Sequence, residues 1–426
     1  MDARGLATAQ GACYWPGNSA VVEELPVPSA ATLVQPESGP PEVVRVGLPG
    51  WAADWDPGDG IVVPRAAVLP GEGEAWRRTD WFYAASWYLS GAAEQGAEDK
   101  GGPIHSYSFR LKGWPESVWE RAWANRILLF LRRMAARGRQ ADEETLFGAL
   151  PEARVVLTHD VDAVAGTWPM RIRLATARGV NSVRALRRGG LGRSLALGLG
   201  VAGALLRSGD MWRFEEIQRL EDEKGLRSVF HFYAGSGGSL AGRFINPSYD
   251  VAAPKLRTKL KELQAGGWEV GLHPGWNAWD SALPIRRERE RLERALDAPV
   301  IACRQHWLKF SWRRTWPAQA EAGIQRDSTL GFNDRPGFRT GTALEYSPWD
   351  FRAKAPYAMR VLPMVFMDGH FHHYDDVSDE DRARRMAYWI DEIKAVRGRA
   401  AVLWHQRVLA PEYGWGKGFR ELLEMV

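Results

Sequence analysis

Residues 154–163 read RVVLTHDVDA. An apolar run runs straight into a cluster of polar residues, which describes a short buried strand whose C-terminal end carries Asp160 and Asp162. Downstream, the same unit recurs. Residues 212–224 read as a helix stopped by Gly225, and LRSVFHFY (226–233) as a strand. Residues 254–265 form a helix that opens on Pro254 and runs into Gly266 and Gly267; WEVGLHP (268–274) is a strand. Residues 285–296 are a charged helix with i,i+4 pairs, PVIACRQH (299–306) a strand, 388–396 a helix and RAAVLWH (399–405) a strand. Strand and helix alternating at this spacing predict a parallel α/β fold, whose chemistry gathers at the C-terminal ends of the strands.

Upstream the character differs, and we place a boundary near 140–152. Residues 1–75 are rich in Pro, Gly and Val, with VVRVGLPG (43–50) and GIVVP (60–64) as strands between turns. Residues 76–100 turn helical, and 116–137 form an amphipathic helix ending at Gly138. The expected organisation is an N-terminal α+β accessory region over 1–145 and a second unit over 150–426. The second unit carries a basic and apolar insertion at about 171–208.

A chain of 426 residues with 45% hydrophobic and 25% charged residues can fill two cores and is not a disordered chain. A net charge of +4 is small for this length and gives no reason to expect a nucleic-acid partner. Cys13 and Cys303, far apart, suggest no disulfide framework. The opening MDARGLATAQGACYWPG shows no signal-peptide pattern, so a cytoplasmic location is expected. SLALGLGVAGALL (194–206) is too short to span a bilayer and is flanked by Arg188, Arg193 and Arg207. It reads as a helical insertion packed on the domain; the other reading is an amphipathic surface helix giving weak membrane-surface association through 188–207. Twenty-one tryptophans offer flat faces for sugar rings, although many must fill the core.

Each informative polar residue follows a predicted strand. Asp160 and Asp162, at i and i+2, can face one mouth, one holding a divalent metal and the other taking a proton; an Asp-rich turn capping the next helix is the alternative. His273, followed by Pro274, is a metal-ligand candidate. Arg304 and His306 share a face if their strand continues: the arginine can hold a carboxylate, and the histidine can ligate metal or bind substrate. His405 can protonate a leaving amine. His370, His372 and His373 read as a solvated or substrate-edge loop rather than a dedicated metal site.

LTHDVDA, EVGLHPGW, RQHWLKFSW, RDSTLGFNDRPGFRTGT and VLWHQ occur in the order and at roughly the spacing of the motifs of NodB-type polysaccharide deacetylases. The set resembles a bacterial branch whose first motif reads T-H-D-V-D, and it covers about residues 154–410. The segments DWFYAASWYLSG, GPIHSYSFRL and WANRILLFLRR resemble that branch's leader region. The resemblance implies a distorted (β/α) barrel with fewer than eight regular units. It makes Asp160 the general base, Asp162 and His273 metal ligands, Arg304 the residue orienting the base, and His405 the general acid. The second histidine of the family's H-x-x-x-H pair is replaced by Asn277, and an amide oxygen is a poorer zinc ligand. His306 and His231 are candidates to complete the site, and His306 is favoured because it follows a strand end.

The implied activity is hydrolysis of N-acetyl groups on a carbohydrate, with a divalent ion, most readily Zn²⁺, and with Trp276, Trp307 and Trp404 as sugar-stacking candidates. Two rivals stand beside it: an amidohydrolase acting on a small non-sugar amide, and a catalytically inactive carbohydrate-binding member of a polysaccharide assembly system. The sequence leaves substrate identity and oligomeric state open.

Overall fold

The computed structural model describes residues 2–30, 34–36, 39–187, 190–206, 210–235, 245–374, 377–411 and 413–426. Its centre is a parallel sheet built from β3 (Arg154–Val161), β4 (Val229–Phe232), β5 (Glu269–Leu272), β6 (Ala302–Cys303), β7 (Arg326–Asp327), β10 (Arg360–Val361), β11 (Met364–Met367) and β12 (Arg399–Leu403). The order across the sheet is β10-β7-β6-β5-β4-β3-β12-β11, all parallel. The strands are near-continuous apolar runs because helices cover the outer face and side chains fill the inner one.

The two edges of this sheet are one segment of chain. β10 and β11 are separated only by Leu362 and Pro363. Leu362 N–H donates to Asp327 O on the β7 side at 2.8 Å, and Ala401 N–H on β12 donates to Pro363 O at 2.8 Å. Pro363 has no N–H to give, yet its carbonyl still accepts. The sheet therefore curls back on itself: the fold is parallel α/β, as the alternation predicts, and is the distorted (β/α) barrel that the resemblance implies.

Period-two alternation decides what enters the barrel. On β3, Thr158 and Asp160 point inward with Asp162 just beyond, where Arg304 reaches both Thr158 Oγ1 (2.7 Å) and Asp160. His159 points outward. Its Nδ1 meets Trp404 O at 2.6 Å and its Nε2 meets Glu221 on helix Phe214–Asp222 at 2.9 Å.

Some elements differ from the sequence reading. PVIACRQH forms only the two-residue β6, although Arg304 N–H still donates to Leu272 O at 2.9 Å. The helix expected over 388–396 starts nine residues earlier and spans Asp379–Ala395. Ser378 caps it by accepting from Asp381 N–H at 3.1 Å, and three acidic residues in its first turn suit the positive end of the helix dipole. The amphipathic helix expected over 116–137 is Trp123–Gly138, preceded by a separate turn at Glu116–Trp119. The insertion forms two helices, Trp168–Arg187 and Leu191–Leu206; Arg188 and Arg207 lie outside the described residues, as does the side chain of Arg193.

In the N-terminal region, β1 (Val43–Val46) and β2 (Ile61–Pro64) pair antiparallel, and helices Trp81–Ser90, Ala92–Gly101 and Trp123–Gly138 follow. A second small antiparallel pair, β8 (Trp349–Asp350) and β9 (Ala355–Pro356), lies beside the barrel strands in sequence. The N-terminal region shares one continuous apolar cluster with the barrel. Arg126 grips Glu392 of helix Asp379–Ala395 through two hydrogen bonds of 2.8 and 2.7 Å, and Tyr14 Oη donates to Val396 O at 2.6 Å.

Candidate active site and metal centre

The mouth at the C-terminal ends of the strands gathers residues from six of them, β3, β4, β5, β6, β11 and β12. Asp162 Oδ1 stands 3.4 Å from His273 Nε2 and 3.6 Å from His306 Nε2. The ligand atoms of these three residues all lie within 4.8 Å of one another. Two ligands each about 2.1 Å from a tetrahedral ion stand about 3.4 Å apart, so the triangle has the size of a zinc-type site. Asp162 Oδ1 is buried with no hydrogen-bond donor satisfying it. A buried carboxylate oxygen in that condition is costly unless a cation meets it. His273 Nδ1 is tied to Arg304 O at 2.7 Å, which fixes the tautomer and leaves Nε2 as the lone-pair donor. The donor set thus fits a divalent ion.

Asp160 sits behind this triangle, buried. Its Oδ1 is 3.4 Å from Arg304 Nη1 and 3.3 Å from His231 Nδ1, and its Oδ2 is 3.9 Å from His273 Nε2. Burial alone would raise its pKa, but His273, Arg304 and His231 together hold the carboxyl well below the usual range. Asp162 is held low too: burial opposes ionisation, and Arg407 and the imidazoles of His273, His405 and His306 outweigh it. Burial pushes His273 down, yet the two carboxylates prevail and raise it. The field at the triangle therefore attracts positive charge.

Of the two candidates to complete the triangle, His306 lies on it and His231 does not. His231 projects from β4 onto Asp160, and burial lowers its pKa to about 4, leaving it neutral. Asn277 is exposed in the loop after β5.

His405 borders the same mouth, its Nε2 3.7 Å from Asp162 Oδ2. Its Nδ1 is 3.0 and 3.1 Å from the oxygens of Asp368, a buried residue at the end of β11. The sequence reading missed Asp368, although it follows the apolar strand MVFM as the other site residues follow theirs. It also missed Arg407, in the turn Gln406–Leu409, whose Nη1 contacts Asp162 Oδ2.

Two readings of the rim are corrected. His370 is not solvated: it is buried, its Nδ1 accepting from Met367 N–H at 3.2 Å and its Nε2 facing Phe332 O at 3.0 Å. His372 stacks on Trp415 at 4.5 Å, and the side chain of His373 lies outside the described residues. Trp404 is 1% exposed and packs on Phe419, so it offers no face to a ligand. Trp307 does, at 51% exposure: its backbone takes φ +58°, which swings the ring outward beside His306. Trp276 is capped by Lys309 Nζ, 3.7 Å from the ring centre.

No protein-family model matches the chain, and no curated protein matches it. Among solved structures, a candidate polysaccharide deacetylase from Mycobacterium smegmatis aligns at 16% identity and TM-score 0.36, covering 65% of this chain and 85% of that one. A family 4 acetyl xylan esterase from Clostridium thermocellum, solved with a cobalt ion, aligns at 12% identity and TM-score 0.27, with 64% and 80% covered. The chitin deacetylase of Colletotrichum lindemuthianum aligns at 13% identity and TM-score 0.24, with 59% and 86% covered.

Proposed function

We propose that the protein is a metal-dependent hydrolase that removes N-acetyl groups from a carbohydrate, with Asp162, His273 and His306 as the metal ligands. The observation that carries this reading is the triangle around the unsatisfied Asp162 Oδ1, flanked on one side by Asp160 and on the other by the His405–Asp368 pair. A divalent ion held there supplies Lewis acidity toward an acyl oxygen and a water. The chain's own groups divide the remaining work. Asp160, kept ionised by Arg304 and its histidine neighbours, takes the proton of the attacking water. Arg304 is anchored by Ser328 O at 3.0 Å and Thr158 Oγ1 at 2.7 Å, so it fixes the direction of that carboxylate. His405 gives its Nε2 proton to the departing amine, and Asp368 stabilises the imidazolium while fixing its orientation. Trp307 supplies an exposed ring for a sugar face.

Arg407 favours a second reading. A fixed positive charge already contacts Asp162 Oδ2, which lowers the demand for a cation and suits an inactive carbohydrate-binding protein. Metal content of the purified chain and acetate release from N-acetylated oligosaccharides separate the readings. Stoichiometric metal with acetate release supports the hydrolase. Metal with release only from small non-sugar amides moves the substrate to that class. Neither metal nor acetate leaves the binding protein.

A further inference from the structure

The chain between Ala163 and Gly209 contains eight arginines and not one aspartate or glutamate. Its two helices form an antiparallel hairpin. Ser182 Oγ donates to Ser194 O at 2.8 Å, and Arg178 Nη1 donates to Gly200 O at 2.6 Å. Despite this packing, large apolar side chains face solvent. On the first helix these include Trp168 (63% exposed), Ile172 and Val183. On the second they are Leu191, Leu195 and Leu199, the last 78% exposed.

The exposed residues fall on one stripe of each helix. At about 100° per residue, the stripe lies roughly 100° around from the contact line in both helices, measured in the same sense from each N-terminus. In an antiparallel pair, equal offsets of that kind put both stripes on the same side. The hairpin therefore presents one broad apolar face, with exposed Arg187 at its tip. Among the described residues no helix is long and apolar enough to cross a membrane. A second copy of the chain is a poor cover, since it would set arginine against arginine.

The hairpin is rooted at the active-site mouth. It leaves the barrel six residues after Asp162, and Val201 and Tyr413 pack against Ala175. The guanidinium of Arg407, the partner of Asp162, lies 5.9 Å from the centre of the Tyr413 ring.

We infer that this hairpin docks on an anionic lipid surface, its apolar face entering the headgroup region and its arginines meeting lipid phosphates, so that the mouth opens beside the bilayer. The test is flotation of the full chain with phosphatidylcholine vesicles and with vesicles of phosphatidylcholine and phosphatidylglycerol. The mixed vesicles are expected to bind at least tenfold more protein, with binding weakened by high salt. Leu195→Ser combined with Leu199→Ser should remove most of it, and Arg187→Glu part of it, with melting temperatures close to the parent's. Equal binding to both vesicle types, or binding to neither, overturns the inference. So does a dimer by sedimentation velocity that binds no vesicles. The readout needs no catalysis, so it stands or falls separately from the hydrolase reading.

Discussion

The carboxylate of Asp368 holds His405 at two points: its Oδ2 accepts the backbone N–H of His405 at 2.6 Å, and both its oxygens lie within 3.1 Å of the ring Nδ1. Asp368 itself is kept ionised, because His405 and Arg407 outweigh its burial. In the proposed mechanism this pair is the acid, held in orientation by the protein alone. Asp368→Asn should therefore lower kcat by about one to two orders of magnitude, up to the lower end of the roughly 10²–10⁴-fold contribution of a positioned acid, while metal content stays constant. An unchanged kcat would remove the pair from the mechanism.

Asp160→Asn keeps the shape of the general base and deletes its basicity. We expect the protein to fold and hold metal while acetate release falls roughly 10²–10⁴-fold. Equal release by both proteins would exclude Asp160 as the base.

In the proposed site His306 is the third ligand; it lies on the triangle with Asp162 and His273, and Asn277 is exposed outside it. After dialysis against a weak chelator, His306→Ala should have lost its metal and Asn277→Ala should have kept it. The reverse order would transfer the ligand role to the amide.

Glu288 gives a pH signature. Its Oε2 accepts from Gly275 N–H at 2.8 Å, two residues past His273, and burial pushes its carboxyl from 4.5 up to about 7. The folded state thus binds this proton more tightly than the unfolded state. The group's contribution is complete below its unfolded pKa and is lost as pH rises through the folded one. Glu288→Gln stays neutral, so its urea midpoint should match the parent's near about pH 4 and exceed it near about pH 8. Parallel midpoints at both values would contradict the shift.

Glu392 is fully buried and receives Arg126, Arg121 and the Ala122 N–H from the N-terminal region. Glu392→Ala leaves buried Arg126 without its partner and should cost about 3–5 kcal/mol. Chemical denaturation measures it; a loss below about 1 kcal/mol would mean that the two regions do not depend on this contact.

The apolar runs that become β3, β4, β5 and β12 are plain in the sequence, and so is the convergence of the polar residues at their ends. β7 and β10 are two residues long and leave no period to detect, whereas the equally short β6 lies in the apolar run VIAC that reads as a strand. The run containing β10 and β11 is broken by Pro363, which reads as an interruption although its carbonyl maintains the pairing. The three histidines just beyond Asp368 have the look of a metal tract, but the residue of this segment that contacts His405 is Asp368. Arg407 lies two residues past His405 in a turn with no periodicity. The N-terminal contacts join residues hundreds of positions apart, such as Glu98 with Trp312 N–H and Glu94 with Arg339, and no local pattern encodes them.

The barrel's closing strand is also its last. β12 slots between β3 and β11, so until residues 399–403 leave the ribosome the nascent sheet has two bare edges, one of them the strand that carries Asp160. Such edges recruit other chains, and pairings this distant in sequence form slowly. Synthesis of this protein thus includes a vulnerable interval that ends only when residues 399–403 have emerged and closure of the ring brings His405 and Arg407 to Asp162.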